Sequence, residues 1–146
     1  MYYIRNVKKT NIDAVRNYLL NVPTIKKVDE EILKKAVVLS KNGEIYGVVS
    51  YEMIENYALI RYFVYKRNID MDLLKELFSL LEEKLIKNNI YYILSLVENE
   101  QLFSLFSSLG FAEDVEDDFC DYIVKSKNKN CKRMVKEIFL EKKLLN

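Results

Sequence analysis

The stretch from Val97 to Phe111, V-E-N-E-Q-L-F-S-L-F-S-S-L-G-F, leaves the chain few ways to fold. The apolar run Tyr91 to Val97 that leads into it is too short for a buried helix and reads as an interior strand. Asn99 marks the break. From Glu100 the apolar residues Leu102, Phe103, Leu105, Phe106 and Leu109 recur at helical spacing, and Gly110 stands where helices commonly stop in a left-handed turn. Phe111 re-enters the core, so the stretch joins a strand to a helix and then to another strand.

At 146 residues the chain suits one domain that buries about two-thirds of its unfolded surface. Its 23 basic and 22 acidic side chains create no global field toward nucleic acid or an anionic membrane, so charge arguments are local. Histidine is absent, which removes Ser-His and Cys-His nucleophiles, and two cysteines, Cys120 and Cys131, do not complete a zinc shell. No metal site is expected. Few cysteines, no secretory leader and no long apolar segment predict a cytoplasmic protein without a membrane anchor.

Tyr2 to Val7 has strand composition, and Thr10 or Asn11 can cap a helix with Ile12, Val15, Tyr18 and Leu19 on one side, ended by Pro23. Asp29 caps a short second helix that turns Ile32, Leu33 and Ala36 inward. Val37 to Ser40 and Glu44 to Tyr51 flank Lys41-Asn42-Gly43, whose Asn-Gly pair is a hairpin turn. A further break at Glu55-Asn56 precedes Tyr57 to Tyr65, which completes an antiparallel meander. An amphipathic helix from Met71 or Asp72 to Lys87 buries Leu73, Leu74, Leu77, Phe78, Leu81 and Leu85. Phe119 to Lys125 reads as the last strand. Met134, Val135, Ile138, Phe139 and Leu145 then predict a further helix over 131–145, packed on its own domain or on a second copy.

Asn99, Gly110 and Phe111 match in register the pattern Asn-x-x-Ala-x-x-x-Tyr-x-x-x-Gly-Phe, with Leu102 at the alanine and Phe106 at the tyrosine. Gly43-Glu44-Ile45-Tyr46-Gly47 between two apolar strands adds to the likeness. In these stretches and in element order up to about Lys125 the chain resembles the GNAT family, the Gcn5-related N-acetyltransferases. The resemblance implies an α+β fold, an α/β/α sandwich around a mixed, mostly antiparallel sheet of about seven strands, here extended by the C-terminal helix.

It also implies acetyl-CoA, or another acyl-CoA, entering between two splayed parallel strands, Ile60 to Tyr65 and Tyr92 to Val97. Phe63, Val64 and Tyr65 would line the pantetheine arm, Asn99 and Phe106 the opposite wall, and Lys66, Arg67, Asn68, Ile69 and Asp70 the pyrophosphate loop. Anchored on Leu73-Leu74, Asn68 and Asp70 replace the family's two glycines and Tyr65 its Arg or Gln. Asp70 is a good helix cap, and as a cap it takes donors a phosphate would use; Lys66 and Arg67 offset this from the side. Cofactor binding is therefore expected to be weakened or lost by the substitutions, or else retained at a reshaped site. Phe106 cannot supply the proton that the family's tyrosine often gives to the leaving thiolate, and is equally explained as a core residue.

Glu52 and Glu55, near the end of the central hairpin, are the candidate general bases, with Arg61 where some family members carry a glutamate. Glu113, Asp114 and Glu116 open an acidic run that borders the acceptor side in the family and would favour a cationic amine, small molecule or protein; a solvated loop is the plainer meaning. The basic segment around Lys132 and Arg133 lacks interleaved aromatics, so nucleic acid is not expected. Two functions follow: N-acetyl transfer from coenzyme A to an amine, or a GNAT-like module without transfer that binds, regulates or dimerises.

Overall fold

The computed structural model describes residues 1–114 and 132–138. Eleven elements follow in order: β1 (Tyr2–Asn6), α1 (Ile12–Leu20), α2 (Glu30–Leu33), β2 (Val37–Lys41), β3 (Glu44–Ile54), β4 (Tyr57–Tyr65), α3 (Met71–Lys87), β5 (Tyr92–Val97), α4 (Glu100–Ser108), β6 (Ala112–Glu113) and β7 (Lys132–Glu137). The strands form one sheet in the order β1-β2-β3-β4-β5-β7-β6. All neighbours run antiparallel except β4 and β5, which are parallel. With helices on both faces this is the expected α+β sandwich.

Local chemistry accounts for most of the boundaries. Asn42 and Gly43, both at positive φ, turn β2 into β3 as an Asn-Gly pair should. Asp29 caps α2 by accepting the Glu31 N–H at 2.9 Å, and Asn99 caps α4 by accepting the Leu102 N–H at 2.8 Å. Asn11 behaves differently: it stands at the N-cap of α1, but its side chain accepts the Lys8 N–H at 2.7 Å instead of one from its own helix.

The helices divide the core in two. On one face α1 and α2 bury Val15, Leu19 and Leu33 against Val38 and Val48. On the other, α3 buries Leu74, Leu77, Phe78, Leu81 and Leu85, and α4 adds Phe106, beside Val49, Ala58 and Ile93. The 3.6-residue period of α3 puts these side chains on one stripe, which the sheet covers. No helix among the described residues is long and apolar enough to cross a membrane.

The predicted helix over 131–145 is corrected over its first half, because Lys132–Glu137 is strand β7. Met134 and Val135 face opposite sides, Met134 toward the Phe106 cluster and Val135 toward Leu59 and Leu94. Met134, Val135 and Ile138 suit either period. The open edge of β5 decides between them, pairing with β7 from Tyr92↔Glu137 to Val97↔Lys132. The expected strand Phe119 to Lys125, both cysteines and the end of the predicted helix lie outside the described residues.

Candidate active site

Where β4 meets β5 the sheet opens. The two strands pair only at Ala58↔Ile93 and Leu59↔Leu94, although both continue, to Tyr65 and Val97. The cause is on the other edge of β4. Between Val48↔Val64 and Ser50↔Arg61, β3 contributes one residue, Val49, and β4 contributes two, Tyr62 and Phe63. Tyr62 takes a φ of +54°, a conformation that bulky residues avoid. A two-against-one bulge bends its strand, and here it swings the second half of β4 away from β5. Beyond Leu59 the β4 backbone therefore has no ladder partner across the gap among the described residues.

Aromatic rings floor this opening on the α3 and α4 side. Phe63 of β4 lies 5.1 Å from Phe78 and 5.7 Å from Phe106, and Phe106 lies 5.0 Å from Phe111, all edge to face. Phe106 is buried at 3% exposure, so the structure places it as a core ring at the base of the gap. Tyr65 packs against Phe63 at 4.9 Å, and burial raises the pKa of its hydroxyl.

The connection from β4 to α3 is Lys66 to Asp70. Asn68 adopts a left-handed φ of +64°, a conformation that asparagine tolerates better than most residues. The N–H groups of Arg67 and Asn68 have no acceptor among the described residues, and the Arg67 side chain is exposed without a partner there. Asp70 caps α3, its carboxylate accepting the Asp72 N–H at 2.9 Å and its carbonyl accepting from Leu73 and Leu74. Lys66 is held by the Glu44 carboxylate, which raises its pKa, and it lies 4.3 Å above the Tyr46 ring. The loop thus offers two free amides and one free guanidinium while an acidic cap occupies the first helical turn.

On the opposite face, Glu52 pairs with Arg61 at 2.6 Å, both side chains partly exposed. Glu52 faces Leu59, the last residue of β4 paired to β5, and so stands at the level where the gap begins. Glu55 sits in the β3–β4 turn at a φ of +53°, three residues and about 10 Å farther along the strand. Glu113 is exposed on β6, and Asp114 is buried, its Oδ2 unpartnered and its N–H donated to the Arg133 carbonyl at 2.8 Å. Four strand spacings, roughly 19 Å, separate β6 from β3, so these carboxylates and Glu52 do not form one cluster. Glu116 lies outside the described residues. Among those residues no group of His, Cys, Asp and Glu is arranged to hold a metal ion.

The contact between Tyr62 and Asp29 is one that the sequence did not announce. The Tyr62 hydroxyl accepts the Asp29 N–H at 2.8 Å, tying the start of α2 to the bulge. With Lys27, Val28, Glu30 and Arg61 they line a cavity of about 490 Å³ on the α1 and α2 face. No glycine or proline marks the bulge, so its position carried no signal in the chain.

No protein-family model and no curated protein matches the chain. Solved structures do. N-acetylglutamate synthase from Neisseria gonorrhoeae, complexed with coenzyme A and N-acetyl-glutamate, superposes with a TM-score of 0.71 at 17% identity, covering 94% of this chain and 35% of that one. The chain therefore spans about a third of that enzyme's length. The ribosomal-protein-S18-alanine N-acetyltransferase from Escherichia coli superposes at 0.65 with 15% identity, covering 94% of both chains. An acetyltransferase of the GNAT family from Staphylococcus aureus gives 0.69 at 12%, covering 94% of this chain and 99% of that one. With its sheet order, its one parallel pair and these superpositions, the chain has the fold of the Gcn5-related N-acetyltransferases.

Proposed function

We propose that the protein transfers an acetyl or similar acyl group from coenzyme A to an amine. The observation that carries this reading is the gap between β4 and β5, which pair only at Ala58↔Ile93 and Leu59↔Leu94. Coenzyme A complexes among the similar structures support it. A pantetheine arm is a slender chain with amide groups, and the β4 edge that faces β5 along Phe63, Val64 and Tyr65 suits it as an added strand would. The pyrophosphate falls to the free amides of Arg67 and Asn68 and to the Arg67 guanidinium, with Lys66 and Ile69 shaping the loop and Asp70 opposing it. Asn99 and Phe106 form the facing wall.

Bound thioester supplies an activated acyl carbon; the residues of this chain orient it and handle the proton. As the new C–N bond forms and the C–S bond breaks, the ammonium proton must leave the acceptor. Glu52, level with the start of the gap, is the base we assign, with Arg61 orienting it at 2.6 Å; Glu55 is too far along the hairpin to share the task. Phe106 gives no proton, so the sulfur leaves as a thiolate. Glu113 is exposed nearer the outer edge, where its charge favours a cationic acceptor, while Asp114 is buried.

Calorimetry and thermal shift with acetyl-CoA test the reading first. Ligand at a hundred times its dissociation constant should add about 2.7 kcal/mol of stability, and no stabilisation at millimolar cofactor would remove the proposal. Thiol release across an amine panel then tests turnover, and binding without it would leave a non-catalytic module. In an active preparation Glu52→Gln should lower kcat/KM by about a hundredfold, while Glu55→Gln leaves it unchanged. Equal effects of the two substitutions would end the assignment of Glu52.

A further inference from the structure

A second concavity lies at the other side of the sheet, away from the β4–β5 gap. It measures about 440 Å³, and its polar lining includes Tyr3, Arg5, Lys8, Thr10, Asn11 and Ser40. No acidic side chain lines it. Neither Arg5 nor Lys8 has a carboxylate partner among the described residues. The nearby carboxylates are engaged elsewhere: Asp13 holds Arg16 at 2.6 Å, and Glu44 holds Lys66. Arg5 lies 4.8 Å above the exposed Tyr3 ring, a contact that limits where its guanidinium can go.

Two unneutralised cations on a concave wall attract an anion, and three hydroxyls beside them can donate to its oxygens. The start of α1 lends a smaller share of positive potential, since Asn11 turns its side chain to Lys8 and leaves that end without a side-chain cap. An arginine fork, an ammonium and several hydroxyls match an anion with three terminal oxygens better than a flat carboxylate. We propose that this cavity binds a phosphate monoester or free phosphate, independently of the thioester gap.

The test is a titration of the 15N-labelled full chain with inorganic phosphate at constant ionic strength, followed by amide chemical shifts. Saturable shifts are expected at Arg5, Lys8, Thr10 and Ile12, with the amides of residues 60–70 unmoved. The double variant Arg5→Gln, Lys8→Gln changes only exposed side chains. It should keep the native spectrum and bind phosphate about tenfold more weakly or worse. Absence of saturable shifts, equal affinity in the double variant, or malonate binding as tightly as phosphate would each overturn the proposal. None of these outcomes depends on whether the protein transfers acyl groups.

Discussion

Glu82 of α3 and Lys136 of β7 meet at 2.8 Å with side chains only 6% and 11% exposed, and the Lys136 ammonium also donates to the Leu109 carbonyl at 3.0 Å. One side chain thereby joins α3, the end of α4 and β7. It also explains Gly110, which has a φ of +95° and whose missing Cβ would stand 3.0 Å from Lys136 Cε. Lys136→Met leaves a buried carboxylate and a carbonyl without their cation, and should cost about 3–5 kcal/mol in urea denaturation. A second cation, half-buried Lys84, behaves differently. Burial, helped by Lys35, lowers the pKa of Lys84, whose ammonium donates to the Lys35 carbonyl at 2.9 Å. The unfolded chain then holds this proton to higher pH than the folded one, so the group adds stability as pH rises through its folded pKa toward 10.5. Denaturation measured from neutrality to pH 10 should show that gain in the native protein and lose it in Lys84→Met.

At the scale of elements, caps and turns were largely readable and the last described strand was not. Asp29, Asn99, Asp70 and the Asn42-Gly43 pair each act locally, through hydrogen bonds or φ preferences that need no distant partner. Met134, Val135 and Ile138 do not, because their spacing serves a helix or a strand until the free edge of β5 selects the strand. Asp70 makes a prediction with two signs. Asp70→Ala removes the α3 cap and should lower stability by about 1 kcal/mol in thermal denaturation. The same change frees the Asp72 N–H and removes a negative charge from the loop proposed to hold the pyrophosphate, so acetyl-CoA should bind more tightly by calorimetry.

The whole molecule is a sheet whose central parallel pair is deliberately incomplete: β4 is bound to β3 along its length and to β5 at two residue pairs. Seven strands and a core on both faces keep that opening from closing, while Phe63, Phe78 and Phe106 stop it from becoming a hole through the sheet. Hydrogen exchange should find the β4 amides that face β5 beyond Leu59 less protected than those bonded to β3, and acetyl-CoA should slow them selectively. Uniform protection along β4 without ligand would mean that the strands are zipped in solution.

Period, cap and turn are written in neighbouring residues, so the strand and helix order through α4, the meander and the approximate ends of α3 and α4 followed from the chain alone. The bulge at Tyr62, the bond from its hydroxyl to Asp29, the Glu82–Lys136 pair and the strand nature of β7 emerged only in three dimensions. Each of these depends on which segment lies alongside another, and side-chain type does not encode an edge that a distant strand must fill.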